Sequence, residues 1–564
     1  MFAGIVSMNK NCIDKKVVDE IKSIFSAKSS LELEEKYEKS YFVIRGYTKA
    51  LTKYPGIKAD DNNSFSLLAG EPFLSEFGIE ADHISINEIL KNKTYAKLAP
   101  VRGVFCAARF INGQNPIFEL CADKLGIRPI YYWSDNNFVI FSTALKVLET
   151  VSMIPKEVDQ SALSEIFAFG IPLADRTRYK HIKAIREAEI VNFADNKTIS
   201  THYWRWDQIK QRDIQMVDAL NNTYEIFCDA IKLRLKNDSS VLAFLSGGMD
   251  SRTIVATLVD MGVDVHTFNC SADSAQDKIF AKQFADVAGC PFHVMPYPEK
   301  SMSHMAKSVM YLSEEKKINC SRSQTIWSGD GGSVGLGCVY LDEYVVEQFR
   351  CSDQLDAIQY FNDKNSYALP IGVIKTEKKQ EYSKLLQNAI SKELGRIECE
   401  DKGQKIFLFL MFNDQRRHLH NIYENLDFHG TEYQLPFFDS LLLEYVLSLP
   451  LDYRLNHKMY HELFRLFPSI VYEVPWQTYP GHVPCPLPIE RDLEYQWDRT
   501  NQRFFDRIKK QTSEGIEGFK VGIFARTIDP LNRAKYLFVV LAHLLCLKNF
   551  DYIIKAGKIF AHKT

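Results

Sequence analysis

Residues 246–251 read Ser-Gly-Gly-Met-Asp-Ser and directly follow the apolar run Val241–Leu245. A strand that ends in glycines and opens a helix is suited to hold an anion. The glycines let backbone N–H groups approach, and the helix points its positive end at the same place. Leu245, Ser246, Gly247, Gly248 and Ser251 are therefore candidate phosphate-binding residues, with the serines adding hydroxyl donors. Asp250 sharpens the reading, because a carboxylate among phosphates is repulsive unless a cation lies between them. Mg²⁺, a hard ion that takes oxygen ligands, is the natural bridge. The loop lacks the spacing and the lysine of G-x-x-x-x-G-K-[ST], and it is not G-x-G-x-x-G. A glycine-tight turn without a ligand is the plain alternative.

Such a loop needs a sheet to carry it. From about residue 216 helical and strand patterns alternate: a helix through "MVDALNNTYEIFCDAIKLRL", the strand "VLAFLS", a helix, the strand "VDVHTFNC", a helix through "AQDKIFAKQFADVAG" and the strand "PFHVMPY". This alternation predicts a parallel sheet with helices on both faces, where ligands sit at the carboxyl ends of strands. Residues 1–205 differ. Short apolar segments bounded by turn residues ("FSLLAG", "RGVFCAARFI", "PIFELCA", "PIYYWSD", "NFVIFSTA") predict antiparallel strands, and "AEIVNFADNKTISTHYW" predicts a hairpin turning at Asp195-Asn196. "DQSALSEIFAFG" reads as a helix ending in glycine. Beyond about 350 the chain reads as mainly helical. Two domains fit, 1–205 and 206–564, the second with a helical C-terminal extension.

The 564 residues carry 69 basic and 71 acidic side chains, a net charge of -2. This balance gives no electrostatic case for nucleic acid or anionic membrane as the main partner. The twelve cysteines form no C-x-x-C pair and read as reduced, mostly buried thiols of a cytoplasmic protein. The start "MFAGIVSMNKN" does not look like a signal peptide. The longest apolar run, Tyr536–Leu547, is far shorter than the ~20 residues a membrane span requires, and core packing is its expected role.

Ser-Gly-Gly-x-Asp-Ser resembles the pyrophosphate loop of ATP pyrophosphatases, and the remaining motifs resemble the asparagine synthetase family. "VDVHTFNC" is similar to the family's adenine-contacting strand, which would place Phe268 and Cys270 at the base. Asp277 and Ala281 match its D-x-x-x-A helix start. "SGDGG" (Ser328, Gly329, Asp330) resembles the segment near the nucleotide and the activated acid, and "GTEYQLPFFD" resembles E-x-R-x-P-F-[LV]-D through Glu432, Pro436, Phe437 and Asp439. Lys458 lies where the family has a lysine that stabilises the adenylate. "ADKLGIRPIYYW" resembles a motif of the family's glutaminase domain, with Gly126 and Pro129 in place.

The resemblance implies an α+β, Ntn-hydrolase-like sandwich followed by an α/β ATP pyrophosphatase domain. It implies ATP and Mg²⁺ as cofactors, with Asp250 and Asp330 on the metal and Lys458 and Asp330 in catalysis. ATP would be cleaved to AMP and pyrophosphate as a carboxylate is activated for attack by ammonia or an amine. The partners implied are a small-molecule, peptide or sugar carboxylate and an amine or ammonia donor, with no nucleic acid and no membrane span; a homo-oligomer is compatible.

The departures carry information too. Ala3 stands where glutamine-using members have their nucleophilic cysteine, and a methyl group cannot attack an amide. Ala69-Gly70-Glu71 stands for N-G-E, so the oxyanion-holding Asn is missing as well. The first domain is therefore expected to be non-catalytic. Ser333 replaces a metal-binding Asp, and Gln434 replaces the arginine of E-x-R-x-P. The Gln434 replacement bears on the identity of the acid substrate, and the Ser333 replacement supports a second reading, a nucleotide-binding protein that has retired from catalysis. His457 and His461, four apart, and His418 and His420 are expected to be ordinary surface or packing residues, and Arg416-Arg417 solvated or paired. Tyr479-Pro480-Gly481 reads as a turn near the acyl site.

Overall fold

A computed structural model of the protein describes residues 1–26, 31–47, 56–60, 62–74, 79–271, 275–295, 308, 311–312, 316–318, 320–322, 324–351, 373–489, 493, 504–525, 531–545 and 554. The chain divides into two compact units, Met1–Pro155 with His181–Glu343 and Leu410–Leu493, and Lys156–Lys180 with Tyr344–Phe409 and Glu494–Thr564.

The first unit contains three sheets. Strands β1 (Phe2–Ser7), β2 (Glu32–Glu38), β3 (Tyr41–Tyr47), β4 (Lys58–Ala59), β5 (Phe65–Phe73), β6 (Arg102–Ile111), β7 (Ile117–Ala122), β8 (Tyr131–Ser134), β9 (Phe138–Ser142), β10 (Lys183–Ala184), β11 (Glu189–Ala194) and β12 (Lys197–His202) form two of them. Their orders are β10-β8-β9-β1-β3-β2 and β12-β11-β7-β6-β5-β4, antiparallel throughout. The sheets face each other through aromatic rings, with Tyr41 4.8 Å from Phe65 and Phe118 4.7 Å from Phe141. Such ring pairs add to the area they bury. The β11–β12 hairpin turns at Asp195 and Asn196, both at positive φ (50° and 57°), as a two-residue type I′ turn requires. Helices α1 (Lys15–Ser26) and α3 (Leu145–Thr150) pack together, and α2 (Ile79–Lys91) packs on β5.

The third sheet is parallel: β13 (Ser240–Phe244), β14 (Asp264–Asn269), β15 (Phe292–Val294), β16 (Thr325–Trp327) and β17 (Glu432–Gln434), in the order β15-β14-β13-β16-β17. Strand addition runs one way from β13 to β15 and then reverses to β16 and β17. The switch point lies between β13 and β16, where ligands bind in open α/β sheets. Helices α5 (Met216–Leu235), α6 (Met249–Asp260) and α7 (Gln276–Val287) accompany this sheet, and Val241, Ala243, Ile254, Leu258, Phe280, Phe284 and Trp327 share one core.

Ion pairs tie the antiparallel sheets to the parallel one. Arg128 donates to both carboxylate oxygens of Glu432 at 2.8 and 3.1 Å and also to Asp427. Arg102 and Arg234 both grip Asp439, at 2.9 and 2.8 Å. Glu71 accepts from Arg322 at 3.0 Å, Lys236 at 3.3 Å and the Gln434 amide. Buried charges are tolerated when paired and hydrogen-bonded in this way.

In the second unit α4 (Gln160–Phe169) begins at Asp159, whose side chain accepts from the Ser161 and Ala162 amides, and ends at Gly170 with φ 77°. The helix Arg533–Leu544 buries Tyr536 and Val540 but leaves Phe538 72% and Leu545 62% exposed. The core role expected for this apolar run holds for one stripe only, because a 3.6-residue period turns the others outward; Cys546 and Leu547 lie outside the described residues. No helix among the described residues is long and apolar enough to cross a membrane. The eleven described cysteines are all free. Three are buried, fewer than expected, since most are only half-buried and Cys12 and Cys351 are exposed.

Candidate nucleotide site

The segment Leu245–Gly248 leads from β13 into α6, and Gly248 is the N-cap. A glycine there makes no side-chain cap bond to the first-turn amides. The Ser246 and Ser251 hydroxyls lie 2.8 Å apart, and Ser251 Oγ also accepts from the Ser246 amide at 2.9 Å. Gly247 donates to the Asp277 carboxylate at 2.9 Å, and Asn269 braces the same carboxylate at 2.9 Å. A Cβ on Gly247 would sit 2.7 Å from Asp277 Cα, so the close approach requires glycine.

Ser328-Gly329-Asp330 follows β16 and packs directly on the start of α6. A Cβ on Gly329 would lie 2.4 Å from the Ser251 amide nitrogen, and one on Gly332 2.6 Å from the Asp250 carboxyl carbon. The structure thus brings Ser246, Gly247, Gly248, Asp250, Ser251, Ser328, Gly329 and Asp330 together at the switch point. The Tyr433 hydroxyl, which the motif reading did not single out, bonds Asp330 Oδ2 at 2.6 Å and Ser328 Oγ at 2.8 Å.

Asp250 is held by Ser333, whose amide and hydroxyl each reach one carboxylate oxygen at 2.8 Å. Burial pushes its carboxyl up to about 6 against those hydrogen bonds, and the nearby Asp330 charge adds to the rise. Two neighbouring carboxylates are suited to share a cation. Each Asp250 oxygen takes one bond from Ser333, with the Tyr460 hydroxyl beside the same carboxylate, and a carboxylate has about four lone-pair sites in all. No group of three or more potential ligands gathers among the described residues. A pair of carboxylates with substrate phosphates is the arrangement in which Mg²⁺ is commonly held, so these residues fit that ion.

Other predicted residues stand further back. Leu245 and Phe268 are fully buried, and the Phe268 ring packs edge-on to Phe244 at 5.6 Å. Their side chains support the site from within the core. Cys270, half-buried with its Sγ 3.3 Å from Ser308 Oγ, is the more available of the two residues expected at a base. Lys458 is exposed, and its ammonium pairs with Glu343 at 2.6 Å.

Its neighbour His457 takes the inward place. His457 and Asn456 both adopt positive φ (63° and 55°), a strained conformation for residues other than glycine. The His457 ring lies over Tyr460 and Tyr479 with centroids at 6.0 and 5.6 Å, and its Nδ1 is 2.6 Å from His482 Nδ1. Burial and the nearby His482 and His461 lower its pKa to about 3, which keeps it neutral. Tyr460, in the same helix, is buried beside Asp250. Arg416 is buried rather than solvated, and it donates to the carbonyls of Phe412 and Ile185 at 2.8 Å each. His420 is buried on the Gly126 carbonyl at 2.8 Å, a packing role.

Family comparisons agree with this layout. A glutamine amidotransferase domain matches residues 76–204 and an asparagine synthase domain matches residues 222–328. The Bacillus subtilis (strain 168) protein named asparagine synthetase [glutamine-hydrolyzing] 3 is 32% identical over 157 residues, 28% of this chain and 25% of that protein. The Homo sapiens asparagine synthetase [glutamine-hydrolyzing] is 24% identical over 362 residues, 63% of this chain and 57% of that one. The chain thus spans less than two thirds of either relative. Among solved structures, an allosteric regulatory enzyme of purine biosynthesis aligns with a TM-score of 0.25 and 10% identity over 47% of this chain and 64% of that chain, too distant to bear on the fold. The two domain matches, in this order along the chain, and these relatives make the chain similar to asparagine synthetases.

Proposed function

We propose that the protein is an ATP-dependent ligase that forms an amide bond without hydrolysing glutamine itself. The observation that carries this reading is the contact of two glycine loops at the switch point, where Gly329 abuts Ser251 and the two carboxylates Asp250 and Asp330 lie near the start of α6. A substrate carboxylate oxygen attacks the α-phosphorus of ATP, the bond to the β-phosphate oxygen breaks, and pyrophosphate leaves. The resulting acyl-adenylate is attacked by ammonia or a substrate amine, which loses a proton as AMP departs.

In this reading Ser246, Ser251 and the α6 amides hold the pyrophosphate portion, and Cys270 meets the base. Asp330, oriented by Tyr433, and Asp250 hold Mg²⁺, which when bound neutralises charge on the phosphates. Lys458 has to leave Glu343 to reach the acyl group. An exposed pair of this kind is worth about 0–1 kcal/mol, so the swing costs little. Glutamine hydrolysis is absent from the reading because Ala3, buried in β1, and Ala69 supply neither nucleophile nor side-chain donor.

The test is AMP and pyrophosphate release from MgATP across amino acids, sugar acids and peptides, with ammonium or glutamine as nitrogen source. An acid that yields both products with ammonium but not glutamine supports the proposal. A second reading, nucleotide binding without turnover, is favoured by one observation, the capping of both Asp250 oxygens by Ser333. It predicts MgATP binding with no AMP from any acid.

A further inference from the structure

Gln477 combines two features that do not sit together without a reason. Its backbone amide donates to the carbonyl of Gly247 at 2.9 Å, so the residue is fixed against the glycine loop. Its side chain is only 7% exposed, yet neither its Oε1 nor its Nε2 has a hydrogen-bond partner. Among the described residues only His83 shares this double lack. Leaving a buried amide unpaired is costly, and a native structure keeps such a group where something else satisfies it.

The segment that carries Gln477 is firmly held. Arg252, in the second turn of α6, is buried and donates to the carbonyls of Val471 at 3.1 Å, Val474 at 2.6 Å and Pro475 at 2.8 Å. Its Nε reaches back to the Gly248 carbonyl at 3.2 Å. The 471–477 strap and the glycine loop are therefore braced on the same arginine, and the Gln477 backbone is held against the loop rather than recruited to it.

We infer that Gln477 is a ligand-binding residue of this site, its amide donating to a phosphate oxygen of a nucleoside triphosphate cradled by Ser246–Ser251. The inference rests on the ATP reading of that loop. A carboxamide suits the task, because it donates to phosphate without adding charge beside Asp250 and Asp330.

The test is calorimetric titration of the full chain with MgATP and with magnesium pyrophosphate, comparing wild type, Gln477→Leu, Gln477→Glu and Ser246→Ala, with melting curves on each. Gln477→Leu should weaken both ligands about ten- to a hundredfold, the range for a hydrogen bond to a charged group. It should also melt no lower than wild type, because it removes an unpaired buried amide. Gln477→Glu should weaken binding further. Wild-type affinity in Gln477→Leu, with Ser246→Ala weakened, overturns the inference alone. So does a lowered melting temperature in Gln477→Leu, which would mean that the amide already has a partner. Failure of the wild type to bind either ligand, or unaltered binding in Ser246→Ala, overturns the loop reading and this inference with it.

Discussion

Ser333 donates its backbone N–H and its hydroxyl to the two carboxylate oxygens of Asp250, both at 2.8 Å. The serine is thus the fixed partner of the acid to which the proposed reading gives the metal. Ser333→Asp places a third carboxylate beside Asp250 and Asp330. Without divalent cations it should lower stability by about 1–3 kcal/mol, as expected where a buried hydrogen bond is lost and charges crowd. Millimolar Mg²⁺ should recover most of that loss. Melting curves with and without Mg²⁺ check this, and an equal deficit in both conditions would exclude these carboxylates as the metal site.

Burial holds the Asp250 carboxyl at about 6, and a metal needs it ionised. MgATP affinity should be full above about pH 7 and fall, by up to about tenfold per pH unit, below 6. Asp250→Asn should bind weakly at every pH, and comparison with it removes the nucleotide's own titration. For folding, the sign is opposite. A folded pKa above the usual 3.8 means that this group's share of stability is present below pH 4 and lost as pH rises through 6. That share is on the order of 2–3 kcal/mol, and urea melts of Asp250→Asn should show a correspondingly flatter profile.

Gly329→Ala should open the two loops. Its new methyl would have to displace the Ser251 backbone, 2.4 Å away, for about 1–3 kcal/mol of stability and at least tenfold in MgATP affinity. Gly262→Ala is the control. It has φ 77° but open space around it, so it should cost about 1 kcal/mol and leave affinity unchanged in titration.

Ala3→Cys should not create a glutaminase. The position is buried in β1 between Ile44 of β3 and Ser142 of β9, and Ala69 still lacks a side-chain donor for the oxyanion. Glutamate release from glutamine should stay at the level of the parent protein, and a measurable gain would mean that the missing cysteine was the only barrier.

Much of this architecture is legible in the sequence where patterning is strong. The five segments covering β5 to β9 are short apolar runs bounded by turn residues, and Asp195-Asn196 marks its hairpin by residues that tolerate positive φ. β2 is harder to see. As an edge strand reading Glu-Leu-Glu-Glu-Lys-Tyr-Glu, it carries charge where an interior strand would not. β16 and β17 are three residues each, too short to show a period, although the motifs beside them are plain.

The site shows the same limit at finer grain. A shift of one residue turns a side chain by about 100° at a helix, so motif matching favoured Lys458 while the fold turns His457 inward and Lys458 out to Glu343. Ser333 was visible as a substitution, but its grip on Asp250 depends on β16 and α6 meeting, which no local pattern encodes.

Arg128, from the first 205 residues, is the counter-charge for Glu432 and Asp427, both buried where the chain enters β17. The first 205 residues therefore cannot be treated as removable cargo. A fragment beginning after residue 205 would inherit two buried acids with no cation among the described residues to answer them, so the part of the chain that carries the parallel sheet is not an independent building block, and its integrity depends on the part that precedes it.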